Sequence, residues 1–177
     1  MTRCLIAMGS NLGDRLAHLT DAVAAIAGDP AMEVLGVSAL YETAPVGGPG
    51  GQDAFLNAAL LAETEAGPSA VLSMLQRIEH DHARERVVHW GPRTLDLDLL
   101  TYGRTLSDEA DLELPHPRMH ERRFVMVPVC DLAPDMVHPR LGRTMRDLLA
   151  ALPAEDGDLT ESAHDWAGVT TKGAAAR

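Results

Sequence analysis

Apolar positions recur along this chain with two alternating periods, and the switches between them mark its elements. Residues 4–8 form an unbroken apolar run that stops at Gly9, Ser10 and Asn11, which predicts a buried strand closed by a turn. Leu12, Leu16, Leu19, Val23 and Ile26 then recur at steps of four and three, so a helix follows, ended by Gly28 and Pro30. Period two returns with Leu35, Val37, Ala39, Tyr41 and Thr43, a second strand, and again over residues 55–63. In that third strand Phe55 and Asn57 share one face while Leu56, Ala58 and Leu60 share the other. Pro68 opens a second helix with Val71, Leu72, Leu75 and Ile78 on one stripe. A fourth strand alternates leucine with aspartate from Leu95 to Leu99 and runs on to Tyr102.

Two stretches obey neither period. Residues 44–51 are so rich in glycine and proline that they predict a mobile loop, and residues 84–92 predict a second long one. After Tyr102 the pattern predicts a hairpin over residues 105–114, with Asp108, Glu109 and Asp111 as solvated turn residues. A short helix over residues 121–127 is interrupted by Pro128, and Thr144 with Asp147 resembles a capping box for a last helix through Leu152. The order strand, helix, strand, strand, helix, strand predicts the α+β class: a ferredoxin-like core with an antiparallel sheet, long mobile loops and extra C-terminal helices. Residues 1–153 make one domain, and the small, polar, acidic stretch 154–177 predicts a tail with little fixed structure.

Composition narrows the partners. With 177 residues, 46% of them hydrophobic, the chain can build a real core. A net charge of −11 disfavours nucleic acid as the main partner, because phosphate-backbone affinity needs many basic contacts. No apolar run is long enough to span a bilayer and the N-terminus lacks a secretory pattern, so a cytoplasmic location is the default. Cys4 and Cys130 are isolated and predict two buried, reduced thiols. All basic residues but Lys172 are arginine; Arg77, Arg84, Arg86 and Arg93 precede the leucine–aspartate strand, and Arg118, Arg122 and Arg123 follow it. Guanidinium forks match phosphate oxygens, although any one of these arginines taken alone is as readily a solvated helix residue.

The chemistry concentrates at Asp96 and Asp98. On a strand both carboxylates project from one face, about 6–7 Å apart, with Leu95, Leu97 and Leu99 on the other. Aspartate is depleted in strands and like charges repel, so the pair calls for water or cations, and magnesium would supply the latter. His80 and His82 do not share a helix face and read as surface; the spacing of His116 and His120 is zinc-like, but Pro117 lies between them.

The run Trp90-Gly91-Pro92-Arg93-Thr94-Leu95-Asp96-Leu97-Asp98 resembles the signature of the 6-hydroxymethyl-7,8-dihydropterin pyrophosphokinases of folate biosynthesis. Supporting segments occur in family order around Gly9, Tyr41, Phe55, Gln76 and His116, over roughly residues 4–152. The resemblance implies a pyrophosphokinase domain over residues 1–153 that moves a diphosphate from ATP to the hydroxymethyl group of the dihydropterin, leaving AMP. It makes Asp96 and Asp98 ligands of two Mg2+ ions, and places Arg84 and Arg93 on the transferring phosphates as catalytic groups. Gln76, Glu79, Arg86, Trp90, His116 and Arg122 would line the ATP site. Thr43, Val46, Phe55, Asn57 and Phe124 would hold the pterin, the two phenylalanines by stacking and Asn57 by reading its edge. His89 stands where the family often has arginine, and no general base is implied, which phosphoryl-type transfer tolerates. A monomer is the family expectation.

Two other classes compete. A sensor that binds nucleotide or pterin without turnover would use the same fold, though retention of both acids and both phosphate arginines argues against it. A different metal-dependent transferase would also carry Asp-x-Asp; Phe55, Asn57 and Phe124 favour pterin.

Overall fold

Alternation of large apolar with small or polar residues lets one sheet carry two unlike faces, and the strands assemble accordingly. A computed structural model of the chain describes residues 1–44, 53–82, 94–153, 159–163 and 166. The central strand β1 (Thr2–Ser10) runs antiparallel to β4 (Phe55–Thr64) on one side and to β5 (Asp96–Tyr102) on the other. Along the far edge of β4 lie β2 (Met32–Val37) and β3 (Tyr41–Thr43), each antiparallel to it. With α1 (Arg15–Gly28) between β1 and β2 and α2 (Pro68–Asp81) between β4 and β5, this is the expected ferredoxin-like plan with its antiparallel sheet.

The single strand expected across residues 35–43 is instead two. A bulge between Val34 and Gly36 shifts the register, and Ser38 takes a place in the ladder by itself. Its N–H donates to the Ala59 carbonyl at 2.9 Å while its Oγ accepts the Ala59 N–H at 2.9 Å. A hydroxyl thus replaces a backbone acceptor and lets the chain step from β2 to β3.

One face of the sheet is sealed by α1 and α2. Leu19, Val23 and Ile26 of α1 and Val71, Leu75 and Ile78 of α2 pack on Ile6, Met8, Leu56, Leu60, Leu97 and Leu99. The α1 stripe starts at Leu16: Asp14 caps the helix through the Ala17 N–H, and Leu12, expected on the stripe, lies outside it and exposed. On the other face, α3 (Arg123–Leu132) and α4 (Met145–Ala150) bury Val125, Met126, Val129, Met145 and Leu148 against Leu5, Ala59, Leu61 and Leu100. Pro128 does not interrupt α3 as its sequence predicts, because it sits buried inside the helix, where packing offsets the cost of about 3 kcal/mol that an interior proline carries through its missing N–H and its clash with the preceding turn. The cap of α4 is the expected one, with Thr144 Oγ1 accepting the Asp147 N–H at 3.2 Å.

The expected hairpin is β6 (Ser107–Glu109) with β7 (Leu112–Leu114), and a 3-10 turn, Met119–Glu121, leads into α3. Past Pro153, where little fixed structure is expected, the described residues dock: β8 (Thr160–Glu161) pairs antiparallel with β3, and Trp166 packs against the α1/α2 core. Both cysteines are free; Cys4 is fully buried, whereas Cys130 is only partly so. Burial raises each thiol to about 11.

Candidate active site

The register of the sheet decides which polar side chains meet. Antiparallel partners share a face, so the pairs Tyr41↔Asn57, Asn57↔Gly9 and Gly9↔Asp96 place one row across four strands. The next row is Ala59, Ala7 and Asp98, and Thr43↔Phe55 flanks the first on its other side. Asn57 and Asp96 therefore stand two strand spacings apart, about 10 Å. Between them Gly9 has no side chain; a Cβ there would lie 3.5 Å from Asn57 Oδ1 and 3.9 Å from Phe55 Cδ1. The floor is thus a shallow trough with an amide and an aromatic ring at one end and two half-buried carboxylates at the other.

The beginning of α3 overhangs this trough. Phe124 packs at its rim, and the Arg122 guanidinium carbon lies 5.9 Å from the Phe124 ring centre. Arg122 is half-buried: desolvation and the neighbouring Arg118 lower its proton affinity, while Asp98 and Asp96 raise it. A guanidinium stays charged through all of this, so the acid pair faces a fixed cation. His116 is held below its usual 6.5 by burial and then by Arg122, with Asp96 among the groups opposing that. Its imidazole is therefore neutral near pH 7 and can accept or donate.

Polar residues at strand ends lock this geometry. Ser10 Oγ donates to the Thr94 carbonyl at 2.5 Å, and Asn11 Nδ2 donates to the Asp53 carbonyl at 3.3 Å. Arg15 donates to the Ala54 carbonyl at 2.6 Å and pairs with Glu42 at 3.2 Å. The turn after β1 thereby ties down the chain just before Phe55 and just before Asp96. Asn57 Nδ2 donates to Thr43 Oγ1 at 2.8 Å, which orients the amide. Tyr41, on the same row, donates to Asp131 at 2.8 Å and joins β3 to the end of α3. Ser10, Asn11, Arg15, Tyr41 and Asp131 carried no site role in the sequence; for Ser10 and Tyr41 the one available signal was a polar group within a strand, and for Asn11, Arg15 and Asp131 there was none.

Of the predicted residues, Thr43, Phe55, Asn57, Asp96, Asp98, His116, Arg122 and Phe124 gather on this side of the sheet. Gln76 and Glu79 come from α2, in the opposite layer. Gln76 is exposed, whereas Glu79 is buried and its Oε1 accepts the Leu97 N–H at 2.8 Å, between the two aspartates along the chain. Val46, Arg84, Arg86, Trp90, Arg93 and the variant position His89 lie outside the described residues. Asp96 and Asp98 offer adjacent hard oxygen donors, a set that suits a divalent ion whose remaining positions are filled by water and phosphate. Among the described residues no cluster of three His, Cys, Asp or Glu could hold a metal by itself. His120 lies against His138 rather than His116, with ring centres 5.6 Å apart, and His82 meets His18 with Nδ1 atoms 3.3 Å apart.

A family model described as 7,8-dihydro-6-hydroxymethylpterin-pyrophosphokinase matches residues 5–134. The chain is 44% identical over 153 residues to the 2-amino-4-hydroxy-6-hydroxymethyldihydropteridine pyrophosphokinase of Methylorubrum extorquens, covering 86% of this chain and 94% of that one. It is 45% identical over 127 residues to the protein of that name from Bacillus subtilis, covering 72% and 75%. Among solved structures it is similar to the Plasmodium falciparum HPPK-DHPS wild type with SDX-DHP, with a TM-score of 0.62 and 15% identity. That likeness covers 85% of this chain and 43% of the other, so the chain spans less than half of that solved chain and shares its fold.

Proposed function

The chain belongs to the 7,8-dihydro-6-hydroxymethylpterin-pyrophosphokinase family, and from that premise we propose how its residues carry out the reaction. The activity is ATP-dependent transfer of a diphosphate to the hydroxymethyl group of 6-hydroxymethyl-7,8-dihydropterin, a step of folate biosynthesis. The hydroxymethyl oxygen forms a bond to the β-phosphorus and gives up its proton to solvent, the bond from that phosphorus to the α-phosphate oxygen breaks with its electron pair going to that oxygen, and AMP leaves.

The pterin lies in the trough between Phe55 and Phe124, its edge read by the Asn57 amide that Thr43 orients; Val46 belongs to the same half-site. The absent side chain of Gly9 gives the ring room to reach from Asn57 toward Asp96. This single row, Asn57, Gly9 and Asp96, is the observation that carries the reading. It sets an edge-reading amide and a metal-binding acid about 10 Å apart, which suits a bicyclic ring carrying a one-carbon arm.

Asp96 and Asp98 would hold two Mg2+ ions, and the chemistry these would supply is neutralisation of the triphosphate charge. Arg122 holds phosphate charge from above, and Arg84 and Arg93 stabilise the charge that develops toward AMP. Gln76, Glu79, Arg86, Trp90 and His116 complete the ATP side. Glu79 also holds β5 in place through Leu97, so that both carboxylates keep their spacing. Positioning and electrostatics supply the catalysis, and no side chain acts as general base. The enzyme works as a monomer in the cytoplasm; among the described residues no helix is long and apolar enough to cross a membrane.

The test is to identify the nucleotide product. AMP and the pterin diphosphate should form only when ATP, magnesium and the hydroxymethyl dihydropterin are all present. ADP as the sole nucleotide product would overturn the reading.

A further inference from the structure

Residues 159–163 and Trp166 lie beyond the part of the chain that the family model matches, yet they attach to the strand that supports the pterin half-site. Tyr41 pairs with Glu161 and Glu42 with Thr160, so β8 covers the outer edge of β3. Ser162 N–H donates to the Leu40 carbonyl at 2.8 Å, and the Trp166 indole N–H donates to the Ser38 carbonyl at 3.0 Å. The Trp166 ring packs against the core beneath α1 and α2, while Glu161 shares the opposite face with Tyr41. The attachment thus holds β3 along its outer edge and, through Ser38 and Leu40, the segment that leads into it.

Three residues make a short strand. Without β8, the backbone of β3 would pair on one edge alone, with Tyr41–Asp131 and Glu42–Arg15 as its side-chain ties, and a strand that short gains little from its own ladder. Its inner edge carries the bond that matters, because Thr43 Oγ1 accepts the Asn57 Nδ2–H at 2.8 Å. Thr43 also lines, with Glu42, Ala44 and Ala54, a cleft of about 440 Å³ whose other wall is Thr160, Glu161 and Ser162. Movement of β3 away from β4 would release the Asn57 amide to rotate.

We propose that residues 159–163 with Trp166 form a positioning element that clamps β3 and so fixes the Asn57 amide for recognition of the heterocycle, without touching it. The inference rests on the functional reading above and adds a determinant of pterin affinity from outside the matched region. Covering an edge strand merely for stability would affect both substrates alike; a clamp on β3 affects only the one that Asn57 reads.

The experiment uses full-length Trp166→Ala, Trp166→Phe, Thr43→Ala and the double variant Trp166→Ala/Thr43→Ala, with KM for each substrate and kcat measured separately. Trp166→Ala should raise the pterin KM about fivefold, roughly the worth of one hydrogen bond, and leave the ATP KM and kcat within about twofold. Trp166→Phe, which keeps the ring and loses the N–H, should fall between it and the wild type. In the double variant the two effects should not multiply, since both act through Asn57. An unchanged pterin KM in Trp166→Ala, an equal rise for both substrates, or full multiplication in the double variant would each overturn the proposal. If Trp166→Ala does not fold, Trp166→Phe decides alone by the same comparison of the two KM values. Wild-type AMP formation scores the functional reading, and the ratio of variant to wild-type pterin KM scores this inference, so the two fail separately.

Discussion

The same strands build both faces of the sheet from alternate residues, but the faces end in different states. Toward α1 and α2 stand Ile6, Met8, Leu56, Leu60, Leu97 and Leu99, long enough to meet the helices and exclude solvent. Toward α3 stand Ala7, Gly9, Asn57, Ala59, Asp96 and Asp98, and α3 seals only the part around Leu5, Ala59, Leu61 and Leu100. Of the remainder, Gly9 and Asn57 are buried while Ala7, Asp96 and Asp98 stay partly exposed, because side chains this small or polar do not support a helix. A binding floor here is a core face that was never filled, supported from behind by one that was.

The largest effects should separate the faces cleanly. Asp98→Ala, on the open face, should lower kcat by at least about 10²-fold, the usual cost of losing one preorganised electrostatic contact, with the urea midpoint near that of the wild type. Steady-state AMP formation checks it, and turnover within about twofold of wild type would remove Asp98 from the site. Leu97→Ala, the adjacent residue on the closed face, should do the reverse: unfolding free energy falls by about 2–5 kcal/mol, while the folded fraction keeps most of its kcat. A variant equally stable and catalytically dead would show that the faces are not independent.

Gly9→Ala tests the trough itself. The new methyl would make ordinary contacts with Asn57 and Phe55, so stability should change by less than about 1 kcal/mol, but it occupies the space assigned to the ring. The pterin KM should rise several-fold with the ATP KM unchanged, and equal KM values for both substrates in mutant and wild type would place the ring elsewhere.

The smallest effect is on pH dependence. Burial, then Arg122, lowers His116, and burial, then His120, lowers His138, so between their folded values and 6.5 the unfolded chain binds protons that the folded chain refuses. Acidification through that window therefore favours unfolding. Urea midpoints should fall modestly from pH 7.5 to 5.5, above the usual carboxylate range, and His116→Asn should flatten part of that slope. A midpoint unchanged across this range would contradict the lowered values.

Much of the fold was legible because periodicity reports burial directly. The parity of β4, with Phe55 and Asn57 against Leu56, Ala58 and Leu60, and the placement of Asp96 and Asp98 opposite Leu97 and Leu99 follow from a period of two and needed no partner. Pairing between distant segments was not legible. Ser38 breaking one strand into two, Pro128 accommodated within α3 and Glu79 reaching the Leu97 amide each depend on a group many residues away that local sequence does not name. The same holds for Ser10 and Asn11, whose roles appear only once Thr94 and Asp53 come to meet them.

Sequence by itself determined the order of elements, the two-sided strands and the types of chemical group available, since each is set by side chains within one turn or one strand. Only tertiary structure decided that Asn57, Gly9 and Asp96 form a row, and that a segment past Pro153 closes the edge beside it. Register is a property of two strands at once, fixed by which faces must be buried together, and no single segment contains it.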